Sequence, residues 1–138
     1  MSNGYPQCVN SCQDTYLQNQ NQSCYGNPQS AGSPTLCLQV QKNSGTSFKY
    51  RICKQGGSFI NSFTYRLKDD NHLVFFSSHN GSPGMSCTPW ENFQVSYIPG
   101  YGPSNGAGVV GEVVSPSGCN QASCKYKTGS ITISKSCQ

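Results

Sequence analysis

The chain has 138 residues, a formal net charge of +4, 34% hydrophobic residues and 10% charged residues. That length sets a single domain over residues 1–138 with a modest core. Its polarity comes from Ser, Asn, Gln, Thr and Gly, a composition suited to hydrogen-bonding neutral groups. The mild positive charge permits weak attraction to anions without calling for nucleic acid.

Residues 1–7 form a loose lead-in. From Cys8 to Cys24 no Gly or Pro interrupts, and Cys8, Cys12, Thr15, Tyr16 and Asn19 recur at helical spacing, which predicts a short N-terminal helix. Residues 25–35 carry the Gly, Pro and Asn content of a loop. Period-two alternation follows, with Leu36, Leu38 and Val40 and then Phe48, Tyr50 and Ile52 as the apolar phase. Gln55-Gly56-Gly57 supplies a turn. Phe63, Tyr65 and Leu67 alternate again, although Phe59, Ile60, Phe63 and Leu67 also fit a helical stripe, leaving a second helix over 58–67 open. Asp69-Asp70-Asn71 turns the chain into an apparent strand starting at His72.

Residues 78–90, SHNGSPGMSCTPW, are interrupted by Gly and Pro and read as an irregular loop holding the chain's single tryptophan. Phe93, Val95 and Tyr97 suggest a strand, and residues 98–108 a second Gly/Pro loop. Strands are expected over 109–114, 123–127 and 130–136. The sum is an α+β chain, a mostly antiparallel sheet with a short N-terminal helix.

Nine cysteines, Cys8, Cys12, Cys24, Cys37, Cys53, Cys87, Cys119, Cys124 and Cys137, span the chain without a Cys-x-x-Cys pair. Closely spaced pairs mark most zinc sites, so a disulfide framework is expected, with no metal or other cofactor. Disulfides place the protein outside the cytosol, secreted and extracellular. The odd cysteine is free, buried or intermolecular, and in the last case supplies a homodimer. Sequons at Asn21 and Asn80 agree with secretion. No apolar run is long enough to span a membrane and no Lys-rich amphipathic helix is visible, so membrane insertion is not expected.

Catalysis finds little support. His72 and His79 could act as acid and base in a ribonuclease-like toxin, yet one reads as a surface strand residue and the other as a loop residue. The five acids are scattered, and no Gly-x-Ser-x-Gly occurs. Binding of neutral sugars needs a flat aromatic ring over the C–H face and short polar groups for the hydroxyls. The two Gly/Pro loops and their flanks offer Trp90, Tyr97 and Tyr101 as rings, and His79, Asn80 and Asn105 as polar partners. Trp90 could equally be a plug that fixes its loop. Binding of a host protein by the same loops is a third reading.

The run Cys8-Val9-Asn10-Ser11-Cys12, the expected polar helix to Cys24, and Pro34-Thr35-Leu36-Cys37-Leu38 opening a sheet resemble the small secreted cysteine-rich glycan-binding proteins of mushroom fruiting bodies, the ink-cap lectin type. The resemblance is clearest over about the first 40 residues. It implies an extracellular α+β domain without metal that binds glycans carrying N-acetylhexosamine, in a role of defence or cytotoxicity. The expected partners are therefore glycans or glycoproteins.

Overall fold

The computed structural model describes residues 14–17, 20–28, 33–44, 47–69, 77–94 and 106–136. Among these, nine strands run in the order β1 (Asp14–Leu17), β2 (Gln22–Gly26), β3 (Thr35–Ser44), β4 (Ser47–Lys54), β5 (Phe63–Asp69), β6 (His79–Gly81), β7 (Glu91–Gln94), β8 (Gly106–Val114) and β9 (Lys125–Ser136). They form two antiparallel sheets, a five-stranded one ordered β1-β9-β8-β5-β6 and a four-stranded one ordered β2-β3-β4-β7.

Side-chain alternation explains the layering. Leu36, Leu38 and Val40 of β3 and Phe48, Tyr50 and Ile52 of β4 point inward. They meet Phe63, Tyr65 and Leu67 of β5, Val109 and Val113 of β8, and Ile131 and Ile133 of β9. Each fully buried aliphatic side chain contributes about 1.5–3 kcal/mol of transfer free energy. Phe93 packs on Phe48 and Tyr50 with ring centroids 5.8 Å apart in both pairs. The opposite phase of each strand faces away from this core, as in any sheet covered on one side only.

The two sheets approach closely where β2 meets β9. Asn27, buried just beyond β2, donates from Nδ2 to the Lys127 carbonyl at 2.9 Å and accepts the Lys127 amide on Oδ1 at 2.9 Å. Gly129 lies against the Ser23 backbone, where a Cβ would sit 2.8 Å from the Ser23 carbonyl carbon. Across β8 and β9 the register advances from Val110↔Ser130 to Glu112↔Lys127, so β9 carries one extra residue, a β-bulge at Thr128-Gly129. The buried Thr128 hydroxyl accepts the Gly111 amide there at 2.9 Å.

Several sequence expectations are corrected, and the open choice over 58–67 is resolved. The fold is all-β rather than α+β: the described residues contain no helix longer than the 3-10 turn Ala122–Cys124. The N-terminal helix is replaced, from residue 14 on, by β1 pairing with β9 and β2 pairing with β3; long-range pairing outweighs a short helical spacing that carries few strong helix formers. Residues 63–67 belong to β5, and Ile60, which the helical stripe would bury, is 83% exposed. The loop holding Trp90 also contains a short strand, β6, and Ser123 lies in the 3-10 turn rather than in a strand. The alternating segments over 36–40, 48–52, 63–67 and 109–114 are strands as expected. The strand expected from His72 lies outside the described residues.

Disulfides join Cys24–Cys37, Cys53–Cys87 and Cys119–Cys124. Cys8, Cys12 and Cys137 lie outside the described residues. Three bridges among the described residues of a chain of this length make it disulfide-rich and fit an oxidising, extracellular compartment. Among the described residues, no helix is long and apolar enough to cross a membrane.

Candidate functional site

The segment from Ser82 to Trp90 is irregular but fixed. Its backbone runs beside β4: Lys54 donates to the Ser86 carbonyl at 2.8 Å and Thr88 to the Ile52 carbonyl at 2.9 Å. The buried Thr88 hydroxyl takes the Ile52 amide at 3.0 Å, and Cys87 is bridged to Cys53. On the far side the Phe59 amide donates to the Met85 carbonyl at 2.7 Å, and the Phe59 carbonyl accepts the Gly84 amide at 2.8 Å. The chain thus enters β7 already aligned, and Tyr50↔Glu91 sets Trp90 opposite Arg51.

Trp90 therefore stands on the outer face of the four-stranded sheet. A rung of polar side chains runs across that face. Gln39 donates from Nε2 to Gln22 Oε1 at 2.7 Å, and Arg51 donates from Nε to Gln39 Oε1 at 2.7 Å. The Arg51 guanidinium carbon lies 4.6 Å from the centroid of the Trp90 ring, and Lys49 Nζ lies 5.1 Å from it. These cation–π contacts hold the half-buried ring across β4. The next rung, Cys24↔Cys37↔Cys53↔Cys87, is cross-linked by two disulfides. On the other side Asn43 donates to Asn92 Oδ1 at 3.2 Å.

A groove of about 280 Å³ opens at the Trp90 ring, lined by Asn21, Gln22, Gln39, Val40, Gln41 and Trp90. No carboxylate lines it. Its chemistry is one aromatic face and four primary amides, each able both to donate and to accept. Two of those amides are held by the rung, so their orientation is set before any ligand arrives.

Glu91, one residue on, turns the other way, toward the five-stranded sheet. Its carboxylate accepts the Tyr65 hydroxyl at 2.7 Å, and its second oxygen lies 3.6 Å from His79 Nε2. The His79 and Tyr65 rings are 5.4 Å apart. This is a tie between the sheets. The neighbouring Tyr50 hydroxyl is buried, faces the Leu67 backbone and makes no well-formed hydrogen bond. Burial pushes the Tyr65 phenol well above its usual range, reinforced by its bond to Glu91 and by that charge. Burial raises Tyr50 likewise, with Tyr65 and Glu91 as smaller causes.

Both folded-state values lie above the unfolded one. The corresponding stability is therefore complete below about pH 10 and is lost as pH rises beyond it. Urea unfolding at pH 8 and at pH 10.5 is expected to show that loss. Tyr65→Phe removes a hydrogen bond to a charged group and is expected to cost about 1.5–3 kcal/mol. Tyr50→Phe, which removes an unsatisfied hydroxyl, is expected to be neutral or stabilising and to reduce the alkaline loss.

Of the sequence-chosen residues, Trp90 lines the groove. His79 and the exposed Asn80 lie on β6 of the other sheet and do not line it. Tyr97, Tyr101 and Asn105 lie outside the described residues, as does His72. Asn21 stands out in the sequence only as a sequon, and Gln22, Gln39 and Gln41 not as site residues. Gln39 and Gln41 occupy the polar phase of a segment whose alternation was plain, which was their only signal. Among the described residues, no group of three or more His, Cys, Asp or Glu side chains is placed to hold a metal ion.

Comparison with protein-family models, with curated proteins and with solved structures finds no match to this chain.

Proposed function

We propose that this protein is a secreted carbohydrate-binding protein, a lectin, whose site is the groove beside Trp90. The observation that carries the reading is the convergence of one aromatic ring and four amide side chains on a groove without a carboxylate. A pyranose presents an apolar C–H face to such a ring and hydroxyls to the amides. An acetamide both donates and accepts, as a glutamine amide does, so N-acetylhexosamine is the sugar class proposed. The Gln22–Gln39–Arg51 rung and the disulfide-linked rung beside it preorganise the surface, which reduces the ordering cost of binding. A shallow single site of this kind binds at about micromolar strength, near −8 kcal/mol.

The test is a glycan array with the oxidised protein, followed by competition with free N-acetylhexosamine. Selective, competable binding supports the reading, and a blank array with folded protein refutes it. The same sample is assayed for RNA hydrolysis. Turnover that disappears in His79→Ala would replace the sugar reading with the ribonuclease-like one.

A further inference from the structure

A second cleft, of about 360 Å³, lies where β2, β8 and β9 meet, with Tyr25, Pro28 and Tyr126 among its walls and Lys125, Lys127 and Glu112 at its rim. It shares no residue with the Trp90 groove. Strand β2 separates the two, since its alternation sends Gln22 to one face and Tyr25 to the other. We propose that this cleft is a separate saccharide site that selects sugars bearing an anionic group, a sulfate ester or a carboxylate.

Three observations support it. First, Tyr25 and Tyr126 line the cleft and are only half-buried, Tyr126 being packed in part against the core, so the cleft has an aromatic wall for a sugar to meet. Second, the charge balance favours an anion. Glu112 is already engaged by Arg66 at 2.8 Å and Lys68 at 3.4 Å, so its charge is offset before a ligand arrives. Lys127 Nζ lies over one face of the Tyr25 ring, 4.8 Å from its centroid, which places its charge at the aromatic wall of the cleft. Third, the walls are held together. Asn27 bonds both the amide and the carbonyl of Lys127 and also donates to the Pro34 carbonyl at 3.0 Å. This site does not depend on the reading of the Trp90 groove, because its ligand, variants and signals are its own.

The test is an NMR titration of the 15N-labelled protein with N-acetylglucosamine 6-sulfate, glucuronic acid, N-acetylglucosamine and inorganic sulfate. Saturable shifts at Tyr25, Tyr126 and Lys127 are expected with the sulfated sugar, the uronic acid or both, and the arm that responds names the anionic group. The neutral sugar is expected to bind about tenfold more weakly or worse, the equivalent of one charge contact of about 1.4 kcal/mol. Lys127→Gln keeps the backbone bonds to Asn27 and is expected to lose about the same factor. Tyr25→Ala, checked for folding by circular dichroism, is expected to abolish the shifts, whereas Trp90→Ala leaves them intact. Four outcomes overturn the proposal: no saturable shifts at the cleft with either anionic sugar; inorganic sulfate binding as tightly as those sugars; Lys127→Gln binding them as wild type; or loss of the shifts in folded Trp90→Ala.

Discussion

Gly81→Ala is expected to cost about 3 kcal/mol or more and to lower the yield of folded protein. Gly81 is buried on the edge strand β6 and pairs directly with Phe63 on β5. The Phe63 ring covers it so closely that a Cβ would lie 2.1 Å from one ring carbon and 2.3 Å from another. The ring has nowhere to move, because its centroid is 3.9 Å from that of Phe59 and its side chain is fully buried in the core. Overpacking a closed core costs about 1–3 kcal/mol, and more when no rotamer relieves it. An aromatic ring folded over a cross-strand glycine also pins strand register. The check is urea unfolding of Gly81→Ala beside the double variant Gly81→Ala/Phe63→Leu. The smaller side chain is expected to recover part of the loss, which a general weakness of β6 would not produce.

Trp90→Ala is expected to weaken glycan binding about 30-fold or more while leaving the fold in place. A desolvated aromatic anchor typically carries at least about 2 kcal/mol of binding free energy. The stability cost is smaller, because Trp90 is half-buried on the outer face and apart from the core between the sheets. Losing its contacts with Arg51 and Lys49 costs about 1 kcal/mol. Trp90→Phe is expected to fall between, since it keeps a ring of smaller area. Calorimetric titration with the best array glycan reads the affinities, and urea unfolding reads the stabilities. Equal affinity in wild type and Trp90→Ala would move the site elsewhere.

The strands were legible wherever one face is covered and the other is not. Leu36 to Gln41, Phe48 to Cys53 and Phe63 to Lys68 alternate without a break, and all three are strands. The segment around Asp14–Leu17 misled, because its pairing with β9 joins residues more than a hundred positions apart and leaves no local trace. A helical recurrence of Cys, Thr, Tyr and Asn is weak support for a helix, since none of these residue types strongly favours one. Residues 58–67 were ambiguous for a related reason. Phe59 is held by backbone bonds to Met85 and Gly84 and buried by stacking on Phe63, not by a helical face, and Ile60 beside it is exposed.

The groove was half legible. Trp90 drew notice as the only tryptophan on an uncharged, irregular segment. Its amide partners could not be found from one segment at a time, because the rung Gln22, Gln39, Arg51 exists only through the registers β2↔β3 and β3↔β4. Residues grouped by loop composition, such as Asn80 and His79, were instead carried to the other sheet by the short strand β6. Cysteine pairing was equally hidden: Cys24–Cys37 and Cys53–Cys87 are direct cross-strand neighbours, a relation set by register and not by spacing.

Because Trp90 is the sole tryptophan, emission excited in the indole band, apart from the eight tyrosines, reports on the surroundings of the proposed site. The decisive measurement is a fluorescence titration of the oxidised protein with the N-acetylhexosamine oligosaccharide that scores highest on the array. The account expects a saturable change in emission intensity or wavelength, with a midpoint matching the calorimetric affinity. Binding seen by calorimetry with unchanged Trp90 emission, or no binding by either method, would contradict it.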